Sequence, residues 1–266
     1  MRRTADFLRK GAAWLCMGLT CVMLVWIVGY VFIHGVGALN GTFFQTIAPM
    51  IVTTIYMVAI ALIIATPVGA GAAVYLVEYA KPGKVVEVLR FAIESLSGIP
   101  SIIYGLFGMI FFVKVCGLGW SILSGALTVS IMILPVVIRS TEESLRAVAD
   151  TYREASLALG ASKLRTIVKV ILPAASSGII SAIILSIGRI VGETAAIYLT
   201  AGTVERMPSG VLSSGSTLAV YLYMQAKEAI SFQNAYGAAL VLIALILMIN
   251  ISANILSERI QTRNRI

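Results

Sequence analysis

An all-α membrane protein with six transmembrane helices is predicted by three observations. The 266 residues are 59% hydrophobic and only 12% charged, with a mean hydropathy of +0.97. A soluble domain carries about a quarter charged residues, so most of this surface must face lipid. Crossing the ~30 Å hydrocarbon core takes roughly 20 mainly apolar residues, and runs of that kind occur at about 12–33, 50–78, 95–115, 118–140, 170–200 and 235–257. Lys and Arg gather in alternate segments between the runs, the pattern that sets membrane orientation.

The first run follows Arg2, Arg3, Arg9 and Lys10, like the charged start of a signal peptide. It is too long for an ordinary signal core and no small-x-small cleavage site follows, so it reads as a retained span. The one histidine, His34, stands just beyond it and reads as an interfacial residue. Cys16, Cys21 and Cys116 form no CxxC pair, so neither a disulfide framework nor a metal site is expected. With these counts, neither a Ser-His-Asp hydrolase nor a His-rich metalloenzyme is expected.

In the second run Ala65, Gly69 and Ala73 form a small-xxx-small ladder, which lets helix backbones approach closely in lipid. The third carries Gly98, Gly105 and Gly108 and opens on Ser97-Gly98-Ile99-Pro100-Ser101, the expected break. Pro67, Pro100 and Pro135 are expected to kink or interrupt helices. Between the fifth and sixth runs, 201–234 is the longest segment on its side, with a short helix expected near 216–230.

With a cytoplasmic N-terminus, the inside segments are the N-terminus, 79–94, 141–169 and the C-terminus. They hold four, three, five and three Lys/Arg, against Lys114, Arg206 and Lys227 outside. The net charge of +8 is thus topological, its partner being the lipid bilayer, and no nucleic acid is expected. Both termini are predicted to be cytoplasmic.

The polar stretch 151–173 therefore faces the cytoplasm. Thr151 and Glu154 fit a capping box, Gly160 supplies a left-handed stop, Ser162 caps a new start, and Pro173 leads into the next span. Ala155, Ala158 and Leu159 share one face by i, i+3, i+4 spacing, small enough for another protein to approach. The alternative is an interfacial helix whose Lys163, Arg165 and Lys169 touch lipid headgroups.

Charges inside spans are functional candidates by default. Arg189 lies among Ile, Val and Gly, with Glu193 one helical turn on; Arg139 stands near the inner end of the fourth run, with Glu142 and Glu143 at i+3 and i+4. A guanidinium offers a planar fork that suits an oxyanion. The competing explanation is that each arginine and its acid neutralise one another.

Glu154-Ala155-Ser156, Gly160 and Ile171-Leu172-Pro173 resemble the EAA motif of ABC-type importer permeases. Ser97–Phe107 (SGIPSIIYGLF) looks like the GxPSIxYGLF stretch of the phosphate-import permeases, and Gly188–Ala196 (GRIVGETAA) is similar to their GRxxGET segment. The short chain fits the PstA-like branch of that family. The resemblance spans about 50–257 and implies the type I ABC importer permease (MetI-like) fold with a cytoplasmic coupling helix. It implies an organisation of 1–49 as tail, first helix and outer loop, 50–257 as permease core with its EAA loop at about 151–173, and 258–266 as a cytoplasmic tail.

By the same resemblance, Glu154, Ala155, Ser156, Leu159 and Gly160 couple to an ATPase, and Arg139, Glu142 and Arg189 line the phosphate pathway. Glu193 joins them from its i+4 spacing. Partners implied are a second, PstC-like permease, two ATPase subunits and an external phosphate-binding protein, in a bacterial cell membrane. No G-x4-G-K-[ST] occurs, so no cofactor is expected in this chain and ATP-Mg belongs to the ATPase. The alternatives are a permease for molybdate, sulfate or an amino acid, or a secondary transporter or channel. Against the latter, neither a filter-like sequence nor an inverted repeat is evident.

Overall fold

The computed structural model describes the backbone of residues 2–264 and the side chains of 10–255. The basic side chains Arg2, Arg3, Arg9, Arg259, Arg263 and Arg265, which contribute to the charge asymmetry, lie outside the described residues.

Among the described residues every regular element is helical. Helix α1 (Arg2–Gly35) runs along the outside of the bundle, its Trp14–Ile33 face almost wholly exposed, and touches the remainder mainly through α12. Asn40 caps α2 (Gly41–Val74) by accepting from the Phe43 amide. Helix α2 continues unbroken through Pro49 and Pro67 and ends in a wide i→i+5 turn, Tyr75–Tyr79. The loop expected at 34–49 is therefore largely helical.

Helix α3 (Lys84–Ser97) meets α4 (Ser101–Gly108, extended by a wide turn Met109–Val115) at 101° across Gly98-Ile99-Pro100. The expected break is present: Pro100 has no N–H to continue the ladder of α3 and disfavours helix at Ile99, and it stands extended (ψ 139°) as the cap residue of α4. Pro67 and Pro135, by contrast, sit inside continuous helices.

Helix α5 (Ile122–Arg146) is the central post. Its first amides bond to Ser121 Oγ and to the loop carbonyls of Val211 and Ser213. It lies against α2 along the predicted ladder: Ala65, Gly69 and Ala73 are buried, and a Cβ on Gly69 would stand 2.7 Å from Val137 Cγ1. Met57, Ala61, Ala126, Val129, Met132, Ile133, Ile190 and Ile197 form the main core. Buried Thr128, Ser130 and Ser186 bond carbonyls one turn back, so their hydroxyls are satisfied in an apolar setting.

Three short pieces follow: α6 (Asp150–Ala158), α7 (Lys163–Thr166, continuing through a wide turn Ile167–Ile171) and α8 (Leu172–Ala174). Helix α9 (Ser176–Val191) then turns 64° from the preceding piece and stops at Gly192. Helix α10 (Ala195–Thr200) follows, so the run expected as one span at 170–200 is divided in three, at Ala175 and at 192–194. The short helix expected near 216–230 is α11 (Leu218–Lys227), buried against α2 and α12 (Phe232–Asn264). Thr54 Oγ1 accepts from the Leu218 amide and fixes that packing. Among the described residues, four helices are long and apolar enough to cross a membrane, or six if each bent pair is one span.

Candidate functional site

Two constellations of charge occupy the bundle, and a third polar assembly closes one end. The first is the break between α9 and α10. Arg189 sits in the last turn of α9, where the carbonyl ends of the helix favour a cation. Glu193 follows the helix end, and its Oε1 accepts from the Ala196 amide at 3.0 Å, satisfying an orphan donor at the head of α10. The expectation that Arg189 and Glu193 share one helical face is corrected here, because Gly192 ends the helix between them.

Glu193 is buried and occupied with its backbone bond. Arg189 is half-buried, and among the described residues no carboxylate lies within 4.0 Å of its guanidinium. It stands within electrostatic range of Tyr104, the buried phenol of α4 that donates to Leu96 O at 2.7 Å. Helix α4 reaches this break because Gly105 has no side chain: a Cβ there would stand 2.8 Å from Ala196 Cα.

The second constellation is a cleft of about 270 Å³ between α3 and α5, lined by Arg90, Glu94, Arg139, Glu142, Glu143 and Arg146 among others. Glu142 Oε1 accepts from Arg90 at 2.8 Å and from Arg146 at 2.7 Å, and its side chain is 14% exposed. Arg139, 61% exposed, pairs with Glu143 at 3.3 Å and Glu94 at 3.9 Å. Of the two acids expected beside Arg139, only Glu143 pairs with it. Three guanidinium groups and three carboxylates thus face one cleft, with charges balanced.

Arg90, Glu94 and Arg146 were not distinguished by sequence pattern. Arg90 and Glu94 stand four apart on α3 and invite an intrahelical pair, yet the burial of Glu142 draws Arg90 across to α5. A guanidinium between two acids is shared according to depth, which spacing alone does not reveal.

The third assembly surrounds α6. The helix starts at Asp150, with Ala149 as its extended cap residue and no side-chain cap bond, so the Thr151–Glu154 capping box does not form. Asp150 supplies the negative charge at the first turn instead. The remaining local signals are present: Gly160 takes φ +81°, and Ser162 Oγ accepts from the Arg165 amide. None of the described residues of α6 is buried, and Leu159 is 89% exposed. Ala155, Ser156 and Leu159 line an open depression of about 390 Å³ with Tyr152 and Val170; Ala158 is exposed outside it, and Glu154 is exposed as well.

Residues 65–266 match the family model described as binding-protein-dependent transport system inner membrane component. The chain belongs to that family. It is an ABC importer permease subunit with the all-helical MetI-like fold. The permease is 34% identical to the probable ABC transporter permease protein YqgI of Bacillus subtilis (strain 168), over 97% of each chain. It is 38% identical to the phosphate transport system permease protein PstA 1 of Mycobacterium tuberculosis (strain CDC 1551 / Oshkosh), over 80% of this chain and 70% of that one. Among solved structures, a bacterial alginate ABC transporter with its alginate-bound periplasmic protein superposes with TM-score 0.72 at 14% identity, over 93% of the permease and 95% of that chain. The MetNI methionine ABC transporter, inward facing, gives TM-score 0.62 at 20% identity, over 81% and 94%. These two likenesses concern the fold.

Proposed function

We propose that this permease passes inorganic phosphate across a bacterial cell membrane, driven by ATPase subunits on separate chains. The observation that carries the reading is Arg189: a half-buried guanidinium beside a break in an apolar run, free of carboxylates among the described residues. A neutralised pair is a weak anion trap, and this arginine is not one. Its planar fork can hold a tetrahedral oxyanion through two donors at once. Phosphate is favoured over other oxyanions by the likeness to PstA proteins, several of which are 36–40% identical to this chain.

Arg139 and Glu142 in the balanced cleft are proposed as a second station on the route. There arriving phosphate exchanges for carboxylates around the guanidinium groups and is held weakly, as a pathway requires. Glu193 serves by fixing the head of α10 beside Arg189.

Helix α6 is the coupling helix in this reading. It faces the cytoplasm with both termini, and Ala155, Ser156, Leu159 and Gly160 present its exposed side to an ATPase, with Glu154 at its rim. A second, PstC-like permease completes the pathway with two ATPases, and an external phosphate-binding protein delivers the solute. ATP-Mg is held by the ATPases. The test is reconstitution of the complete complex in proteoliposomes with ATP: phosphate should accumulate, and sulfate and molybdate should not. Accumulation of either competitor in place of phosphate rejects the assignment of the solute.

A further inference from the structure

The α6 helix buries none of its described residues, so something other than apolar packing must hold it to the bundle. Ser156 Oγ meets Thr166 Oγ1 of α7 at 2.9 Å, and Arg153 supplies the attachment to α2 and α5. Its Nε and one terminal nitrogen both donate to Glu78 Oε1, at 3.0 and 2.8 Å. The same guanidinium donates to Leu145 O and Val148 O, both at 2.9 Å, and to Asp150 Oδ1 at 3.1 Å.

Leu145 O belongs to the last turn of α5, where carbonyls have no partner along the helix. Glu78 stands in the wide turn that ends α2. One planar group therefore joins the end of α2, the end of α5 and the first turn of α6. Both partners of the central pair are largely buried, with Arg153 18% and Glu78 9% exposed. Breaking such a pair from one side leaves an uncompensated charge.

Past Gly160 the chain returns to the same place. Lys163 Nζ donates to the Glu78 carbonyl and lies 4.8 Å from the centre of the Tyr79 ring. The Glu78–Tyr79 turn is thus gripped from both sides of the α6 segment, but Lys163 is exposed, and a lysine cannot supply the five-donor fork that Arg153 uses.

We propose that Arg153 is the positioning residue through which movement of α6 reaches α2 and α5, an inference that rests on the coupling-helix reading. Without it, α6 keeps the short link 147–149 to α5 and the Ser156–Thr166 contact, and the end of α2 is left to the single exposed Lys163 beyond Gly160. An ATPase could then move the helix while the pathway stayed still.

The test uses the complete complex in proteoliposomes, with phosphate accumulated per ATP hydrolysed as the readout and recovered ATPase measured alongside. R153K keeps the charge and E78Q keeps the shape. Each should leave ATPase recovery and ATP hydrolysis in place while uptake per ATP falls by about tenfold. A second measurement replaces the ion pair by a covalent tie. With Cys16, Cys21 and Cys116 changed to Ser, E78C and R153C are combined and bridged by a bifunctional thiol reagent. Bridging should restore uptake per ATP, and the unbridged pair should remain uncoupled.

Three results overturn the proposal: an unchanged ratio in R153K, a loss of recovered ATPase that accounts for the fall, or bridging that restores nothing. An unmodified complex that accumulates sulfate instead of phosphate rejects the solute assignment alone, and the ratio is then read with sulfate. An unmodified complex that hydrolyses ATP and accumulates none of the three anions rejects the proposed function itself.

Discussion

Arg189 and Glu193, four positions apart, are separated by a helix end: Arg189 closes α9, and Glu193, in the break beyond it, holds the Ala196 amide at the head of α10. Their charges answer opposite ends of two helix dipoles across a break. The arginine has no carboxylate partner among the described residues, whereas the glutamate is engaged by a backbone amide.

Arg189→Gln should therefore lower phosphate uptake by about ten- to a hundredfold, the equivalent of a lost hydrogen bond to a charged group. The complex should still assemble and hydrolyse ATP. Radiolabelled uptake and phosphate release from ATP, measured on the same vesicles, separate the two. Normal uptake removes Arg189 from the pathway.

Glu142 is the anchor of the α3–α5 cleft, since it receives Arg90 and Arg146 on one oxygen. Both arginines are substantially exposed, which screens the pairs. Glu142→Gln should then cost about 1–2 kcal/mol, read as a lower midpoint of thermal unfolding in detergent. Combined with Arg90→Gln, the loss should be less than additive, because the two side chains share one interaction. Full additivity would mean that the pair contributes nothing to the fold.

At the crossing of α2 and α5, Gly69→Ala places a methyl group against Val137. Overpacking of this kind costs about 1–3 kcal/mol. Adding Val137→Ala should return much of that stability by vacating the space. Unfolding of the single and double variants compares them directly, and a double variant no better than Gly69→Ala would place the strain elsewhere.

On α6, Ala155→Trp fills the open depression, and Gly160→Val forces a β-branched residue to φ +81° at a cost of about 1–2 kcal/mol. Both should reduce the ATPase that co-purifies with the membrane complex, the first by obstruction and the second by misdirecting the helix end. Undiminished recovery in both variants would reject α6 as the docking surface.

Local signals were the ones legible in the sequence. Ser97-Gly98-Ile99-Pro100 announced a break because Pro100 and its neighbours decide their own backbone, and Gly160 and Ser162 announced a stop and a start for the same reason. The Ala65–Gly69–Ala73 ladder was legible because helical periodicity gathers small side chains on one face, although its partner, Val137, was not. The division at Gly192 escaped notice within a continuous apolar run. Its signal was Glu193, a carboxylate three residues before an amide that needs an acceptor. The Thr151 cap failed because α6 begins earlier, at Asp150, where Arg153 draws the aspartate into its network. Arg153 itself meets Glu78 across 75 positions, and nothing in local pattern selects that pair among the charges nearby.

The wide turn Ile167–Ile171 has a consequence for how this chain tolerates changes of length. Elsewhere in a helix, removing one residue rotates everything beyond it by about 100°. In a wide turn the winding already holds one residue more than a regular turn, so its removal restores regular winding and leaves the flanking faces where they were. Ile167 and Ile171 would stay directed inward. Single-residue gaps between this chain and its relatives should therefore collect within 167–171 and avoid the uniform middle of α5.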